Sequence, residues 1–578
     1  MNKNMPGFFI TNINSDNNYH AKNLYEKKCI YNKMSVENYT IIRNVLDSFA
    51  NDKLFDDSSR MTIVTDGVLY NAKSLISLYN EDNLFNTLID IYLEKDVFFN
   101  KLEGPYSGAI YDKEKDEWLI FTNITGDRSI FYYYDDCTRK FIIGSQLNYV
   151  TDFMSQVGLD KKYDEHGISC LLDFGYFIDE STGINNVKRL YPGDYLVINK
   201  NGISINNYYI ADNDAISCSI DEAIENLDQA FNHSLIRIAE KNKEYGYKNL
   251  VDLSGGLDSR MICYALKRLG YENSLLITYA QNDSNEVDIA KKISNSLNFD
   301  WYFKSLDNGK CLKYIDEIIQ MNSGTAFYSG ITGGKDFLEI LDNRIIGMEF
   351  TGLLGDMHDS SMTVSSGLDK PNIDNVKYRT STMFKMNKNT YSNVVSRFKN
   401  HELYWLYTRG MMAGMSTCLT RQNFVEPVTP FGDKEFLDAY LSIPWEMRVN
   451  KKVLMLWLIR KYPEAGNIKY AATGMSIKNE DGFVNNNIRR VKYYSHKFFS
   501  DLMGKPVKNN MNPMDYWLLK DNKLKRFLDN YYYSNRNIIE EYEDVYFKVC
   551  SMYENGHTFN DKSLALTVIA YFRNYLFK

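Results

Sequence analysis

Between residues 60 and 210 the apolar positions come in short runs broken by turn residues. Met61-Thr62-Ile63-Val64-Thr65 ends on Asp66-Gly67, Trp118-Leu119-Ile120-Phe121 precedes Gly126-Asp127, and Tyr195-Leu196-Val197-Ile198 follows the turn Tyr191-Pro192-Gly193-Asp194. Runs of β-branched and aromatic residues bounded by Gly, Asp and Pro predict strands, and Ile130–Tyr134 and Phe141–Ile143 read the same way. Helices are expected near 71–82 and 84–96. The polar stretch Asp212–Ser217 leads out of this strand-rich region. The spacing of apolar residues then changes to the helical one in Ile220–Ala239. Leu250-Val251-Asp252-Leu253 has the pattern of a buried strand, and Met261–Leu269, apolar at 262, 265, 266 and 269, that of a helix. Two domains are expected, 1–210 and 211–578.

A chain of 578 residues is too long for one ordinary core, which agrees with that division. With 44% hydrophobic and 24% charged residues the composition is globular. The formal charge of -7 argues against a general nucleic-acid binder, and no nucleic-acid partner is expected. The eight cysteines are dispersed without CxxC spacing, and HExxH is absent, so a structural zinc site is not expected. Dispersed cysteines, a polar Met1–Phe9 and the lack of a long apolar run predict a cytoplasmic chain without membrane insertion. A homodimer is left open.

The chemistry concentrates in Ser254-Gly255-Gly256-Leu257-Asp258-Ser259. Strand, glycine-rich turn and helix together make a phosphate-binding arrangement. Paired glycines let an anion approach the backbone, and the first N–H groups of the helix point at it. Ser254 and Ser259 add hydroxyl donors. Asp258 repels phosphate directly, so its physical role is to hold magnesium that bridges phosphate oxygens. The run is neither GxxxxGK[ST] nor GxGxxG.

This loop resembles that of the asparagine synthetase superfamily, whose ATP-pyrophosphatase domain carries SGGLDS. The resemblance extends along nearly the whole chain. Ile345 to Asp356 is similar to the family's second motif, which implies Gly355 in the nucleotide site and Asp356 as a second metal-binding residue beside Asp258. Leu276-Ile277-Thr278-Tyr279 looks like the strand whose backbone holds adenine, and Glu286 like the acidic residue that follows it. Glu426 to Asp433 resembles an RxPFLD-type segment. In the front region Asp66-Gly67-Val68-Leu69-Tyr70-Asn71 resembles NGEIYN, and Leu102 to Asp112 resembles LxGxFAFAxxD. Thr125–Arg128 and Gly144–Gln146 are similar to later turns of the same amidotransferase-like domain. The resemblance implies a fold of mixed α+β and α/β class. An N-terminal-nucleophile (Ntn) hydrolase-like αββα sandwich would precede an adenine-nucleotide α-hydrolase (PP-loop) domain with a helical tail.

The implied chemistry departs from the family in two places. Glutamine hydrolysis there needs an amino-terminal cysteine, whereas this sequence starts Met1-Asn2-Lys3-Asn4 and its first cysteine is Cys29. Loss of that nucleophile is shared with β-lactam synthetases and lasso-peptide cyclases. The family's catalytic lysine falls on Ala472, which leaves Lys469 and Lys478 as candidates for its role. The expected activity is an ATP- and Mg2+-dependent ligase that adenylates a small-molecule or peptide carboxylate and passes it to an amine without glutamine. An ammonia-dependent asparagine synthetase and a non-catalytic binding or assembly protein are the alternatives. In the tail, Arg489-Arg490-Val491-Lys492-Tyr493-Tyr494 is either a solvated helix face or a basic patch for an anionic or peptide substrate.

Overall fold

The computed structural model describes residues 5–14, 29–94, 98–330, 334–342, 344–355, 367–373, 380–471, 476–477, 508 and 510–577. The front region holds twelve described strands: β1 Gly7–Thr11, β2 Cys29–Val36, β3 Tyr39–Leu46, β4 Phe55–Asp57, β5 Met61–Gly67, β6 Tyr106–Asp112, β7 Glu117–Thr122, β8 Phe131–Tyr134, β9 Phe141–Gly144, β10 Val187–Arg189, β11 Asp194–Asn199 and β12 Gly202–Asn207. They form two antiparallel sheets of six, ordered β10-β8-β9-β1-β3-β2 and β12-β11-β7-β6-β5-β4. Phe8, Ile10 and Ile41 of the first sheet meet Val64, Ala109 and Trp118 of the second in one apolar layer. Their neighbours Phe9 and Ile42 point the other way, toward helix α4 (Leu147–Gln156). Ile63 and Ile110 point outward onto α1 (Ala72–Tyr79) and α2 (Leu84–Leu93). The result is the four-layer αββα sandwich expected from the resemblance.

β12 leads at Asn207 into the connection to α6, Ile220–Glu244. Ser219 and Glu222 close a capping box at the start of this helix. The helix runs one turn beyond the expected Ala239 because Lys241, polar in sequence, is buried against Asp52 at 2.9 Å. Five parallel strands follow: β13 Lys248–Asp252, β14 Ser274–Ala280, β15 Asp300–Ser305, β16 Ile346–Phe350 and β17 Glu426–Val428, ordered β15-β14-β13-β16-β17. Val251, Leu276 and Phe350 pack on α6, α7 (Asp258–Arg268) and α8 (Asn285–Leu297), while Leu250, Ile277 and Ile346 face the other side. Burial on both faces is what a parallel sheet requires. The described part of the tail is helical, as expected. Its last long helix, Phe559–Tyr571, is buried nearly all round, and the Tyr571 hydroxyl accepts from the Gly183 N–H at 2.8 Å. Arg489–Tyr494 lies outside the described residues.

A buried ionic cluster joins the two domains. Lys53 donates to Glu426 at 2.6 Å and to the carbonyls of Leu46 and Ser48 at 2.8 and 2.7 Å. Arg128 donates to the other oxygen of Glu426 and lies 3.2 Å from Asp66. Lys53, Arg128 and Glu426 are 3% exposed or less, so the charges depend on one another rather than on water. Burial opposes ionisation of Glu426, but the charges of Arg128 and Lys53 hold its pKa below the usual value. Among the described residues no helix is long and apolar enough to cross a membrane.

Candidate nucleotide-binding site

The loop Ser254–Leu257 links β13 to α7 at the carboxyl edge of the parallel sheet, where open α/β sheets place their ligands. Its two serines fold it inward. The Ser254 N–H donates to Ser259 Oγ at 3.0 Å, the two hydroxyls are 3.0 Å apart, and the Gly256 N–H donates to Ser254 Oγ at 3.1 Å. The Gly255 N–H donates to Glu286, in the first turn of α8. A carboxylate thus takes up the anion preference of the turn from inside the protein. Burial raises the pKa of Glu286, and the Gly255 N–H and the charge of Arg260 counter that rise.

Gly255 has no room for a side chain. A Cβ there would come within 2.6 Å of Glu286 Oε2 and 2.8 Å of the Ala471 Cβ. Replacing Gly255 by Ala is expected to lower nucleotide-dependent turnover by about 100-fold, the effect of moving reacting groups by about an ångström. The clash should also cost about 1–3 kcal/mol of stability, so the rate is compared well below the lowered melting temperature; an unchanged rate there would show that the turn is not a phosphate cradle.

Asp258 opens α7 and packs against the second motif. A Cβ on Gly355 would fall within 2.5 Å of Asp258 Cγ, and one on Gly352 within 3.2 Å of Asp258 Cβ. The chain therefore brings Gly355 against Asp258, while the following Asp356 lies outside the described residues. Thr278 is buried. Its hydroxyl donates to the Leu253 carbonyl at 2.7 Å and accepts from the Trp301 indole at 2.9 Å, so it fastens β14 to the start of the loop. Lys469 has an exposed side chain, and its carbonyl faces the site. Lys478 and Ala472 lie outside the described residues.

Two residues that sequence reasoning missed complete this region. Arg260 is fully buried and donates to the carbonyls of Ala465, Ile468 and Lys469 at 2.9, 2.9 and 2.8 Å, and to Gly255 at 3.3 Å. It thereby binds a distant segment to the loop, and burial pushes its pKa down to about 10. Lys451 is 9% exposed, adopts a positive φ of 64° and lines a small cavity with Asp258, Gly355 and Phe431. Arg260 adjoins the loop in sequence, but only the fold brings its acceptors at 465–469, and Lys451, to it, so no sequence spacing signals their roles.

On the opposite face of the sheet Arg421 meets Asp252 at 2.8 Å, Glu349 and the Tyr279 hydroxyl. Burial, reinforced by Asp252 and opposed by Arg421, pushes Glu349 up to about 7. The folded state therefore holds a proton that the unfolded chain releases, and this contribution to stability is lost as pH rises from about 4.5 to about 7. Thermal melting across that range should be flatter for Glu349→Gln than for wild type; parallel curves would refute the assignment.

Magnesium commonly takes one or two carboxylates and completes its shell with phosphate oxygens and water. Asp258 beside an anion-holding turn fits that habit. Among the described residues no group of three His, Cys, Asp or Glu forms an all-protein metal cage.

Residues 43–209 match the glutamine amidotransferase domain family, and residues 226–331 match the asparagine synthase family. A putative glutamine-hydrolysing asparagine synthetase of Methanocaldococcus jannaschii is 22% identical over 75% of this chain and 72% of its own. Asparagine synthetase 3 of Bacillus subtilis, named as glutamine-hydrolysing, is 21% identical over 50% of this chain and 46% of its own length. A solved allosteric regulatory enzyme of purine biosynthesis is 14% identical and covers 52% of this chain and 74% of its own, with a TM-score of 0.22, too low to carry weight. The PP-loop domain implies ATP binding, and the domain pair supports an ATP-dependent amide-forming ligase activity. The two family matches and the distant relatives together support membership of the asparagine synthetase superfamily.

Proposed function

We propose that the protein adenylates a carboxylate with ATP and transfers the acyl group to an amine without hydrolysing glutamine. The observation that carries the reading is the Ser254–Ser259 turn, with Asp258 seated against Gly355. In this reading a substrate carboxylate oxygen attacks the α-phosphorus and pyrophosphate leaves. The amine then attacks the acyl carbon and AMP leaves. Gly255, Gly256, Ser254 and Ser259 orient the phosphates, the Thr278 backbone faces adenine, and Lys451 adds a positive charge beside Asp258. Magnesium, when bound, would neutralise phosphate charge, with Asp258 and Asp356 as its holders. Lys469 and Lys478 remain the candidates for the cation near the acyl group.

Three features support independence from glutamine. Asp66, at the turn that resembles NGEIYN, is ion-paired with Arg128. Burial pushes the Cys29 thiol up to about 11, which disfavours a thiolate. The Lys53–Glu426–Arg128 cluster fills the contact between that turn and the second domain with packed charge. The front domain then serves as scaffold. Exchange of labelled pyrophosphate into ATP, dependent on a carboxylate and magnesium, tests the adenylation step; its absence across a broad panel of small-molecule and peptide carboxylates would sink the ligase reading. Glutamate release from glutamine would refute the independence alone.

A further inference from the structure

We infer that the cleft between the two domains is a second small-molecule site, built for an organic ammonium ion. The cleft is a cavity of about 420 Å³, within the size range of small-molecule pockets, and shares no lining residue with the loop 254–259. Tyr70, Phe99 and Tyr208 line it from the front domain, and Ser234 and Arg237 of α6 from the second. Phe99 and Tyr208 stack with centroids 4.4 Å apart, so the front-domain side of the cavity is aromatic.

The charge on its floor is unbalanced. Arg237 is shared by three carboxylates: Asp433 at 2.8 Å, Glu435 at 3.2 Å and Glu103 at 3.5 Å. Glu435 has a further neighbour in His233, at 2.9 Å. The Glu103 contact is the longest of the three, and Arg237 Nε has no hydrogen-bond partner. Burial, together with repulsion from Asp433 and Glu435, raises the pKa of Glu103 despite Arg237. At the rim Lys434 is matched by Asp438 at 2.6 Å, so it does not offset this excess.

A separate observation points to a ligand. Ser234 is fully buried, lines the cavity, and its hydroxyl has no hydrogen-bond partner. An ammonium ion would satisfy the excess carboxylate, lie over an aromatic face and leave its organic part to the apolar wall. Lys434 already stands over Tyr209 at 5.6 Å at the edge of the same cavity. The turn that carries Thr429 and Gly432 lines the cavity on one side. On its other side Thr429 donates to the Leu353 carbonyl at 2.5 Å, two residues before Gly355. An occupant is therefore one turn of chain from the candidate nucleotide site.

The inference is tested on the full chain without nucleotide, so its failure is distinct from failure of the ligase reading. Isothermal titration would compare phenethylammonium and tetramethylammonium with uncharged 2-phenylethanol and anionic phenylacetate. At least one cation should bind at one site per chain, and both other probes should bind about tenfold more weakly or not at all. Glu103→Gln, isosteric at a partly exposed position, and Ser234→Val should each weaken the cation while unfolding stays near wild type. Binding by neither cation, equal binding of the alcohol, or full affinity in Glu103→Gln would overturn the site.

Discussion

Asp258→Asn should lower ATP–pyrophosphate exchange by about 100-fold or more, the loss that follows removal of one preorganised electrostatic group. The substitution keeps the shape of the side chain, so its packing on Gly355 is retained. What changes is the charge that would hold magnesium against phosphate. Because the side chain keeps its volume but loses charge and one acceptor in the first turn of α7, raising magnesium should recover part of the rate, and stability should change by no more than about 1 kcal/mol. Exchange at the wild-type rate would show that the charge of Asp258 is not needed and that metal is held elsewhere.

Glu426→Ala should destabilise the protein by about 3–5 kcal/mol, because it strands Lys53 and Arg128 in the interior without their counter-charge. Lys53 would keep two carbonyl acceptors and Arg128 would keep Asp66, but neither replaces a buried carboxylate. Since the cations belong to the front domain and the carboxylate to β17, the loss should appear in the unfolding of both domains. Denaturant unfolding followed by fluorescence and by circular dichroism would measure it, and a loss below about 1 kcal/mol would mean that water reaches the cluster. Replacing all four charges, Asp66 included, by apolar residues of similar size should recover much of the stability.

Several strands were legible because their sequence carries turn chemistry. Met61–Gly67 ends on Asp-Gly and Asp194–Asn199 follows Pro-Gly-Asp, and both form where expected. Gly7–Thr11 and Tyr39–Leu46 escaped notice for a physical reason. They lie in the inner sheets of a four-layer sandwich, with apolar residues on both faces, so the alternation that marks a half-buried strand is erased. The turn between β13 and α7 was legible because six consecutive residues carry it. Arg260 sits next to that run, yet its partners are Ala465 to Lys469, and only the folded chain shows them together. Lys451 was hidden in the same way, and Glu426 was legible only as the start of a family-like segment, without its cations.

The Arg260 latch also sets an order in time. Its first acceptor, Ala465, follows it by 205 residues. At a synthesis rate of about 5–20 residues per second, the loop emerges about 10–40 seconds before the segment that secures it. Through that interval a guanidinium destined for a dry interior has only water and the Gly255 carbonyl to satisfy it. The nascent chain should therefore gain nucleotide affinity late, as an abrupt step when Ala465 to Lys469 clears the ribosome, rather than when the strand, turn and helix first appear.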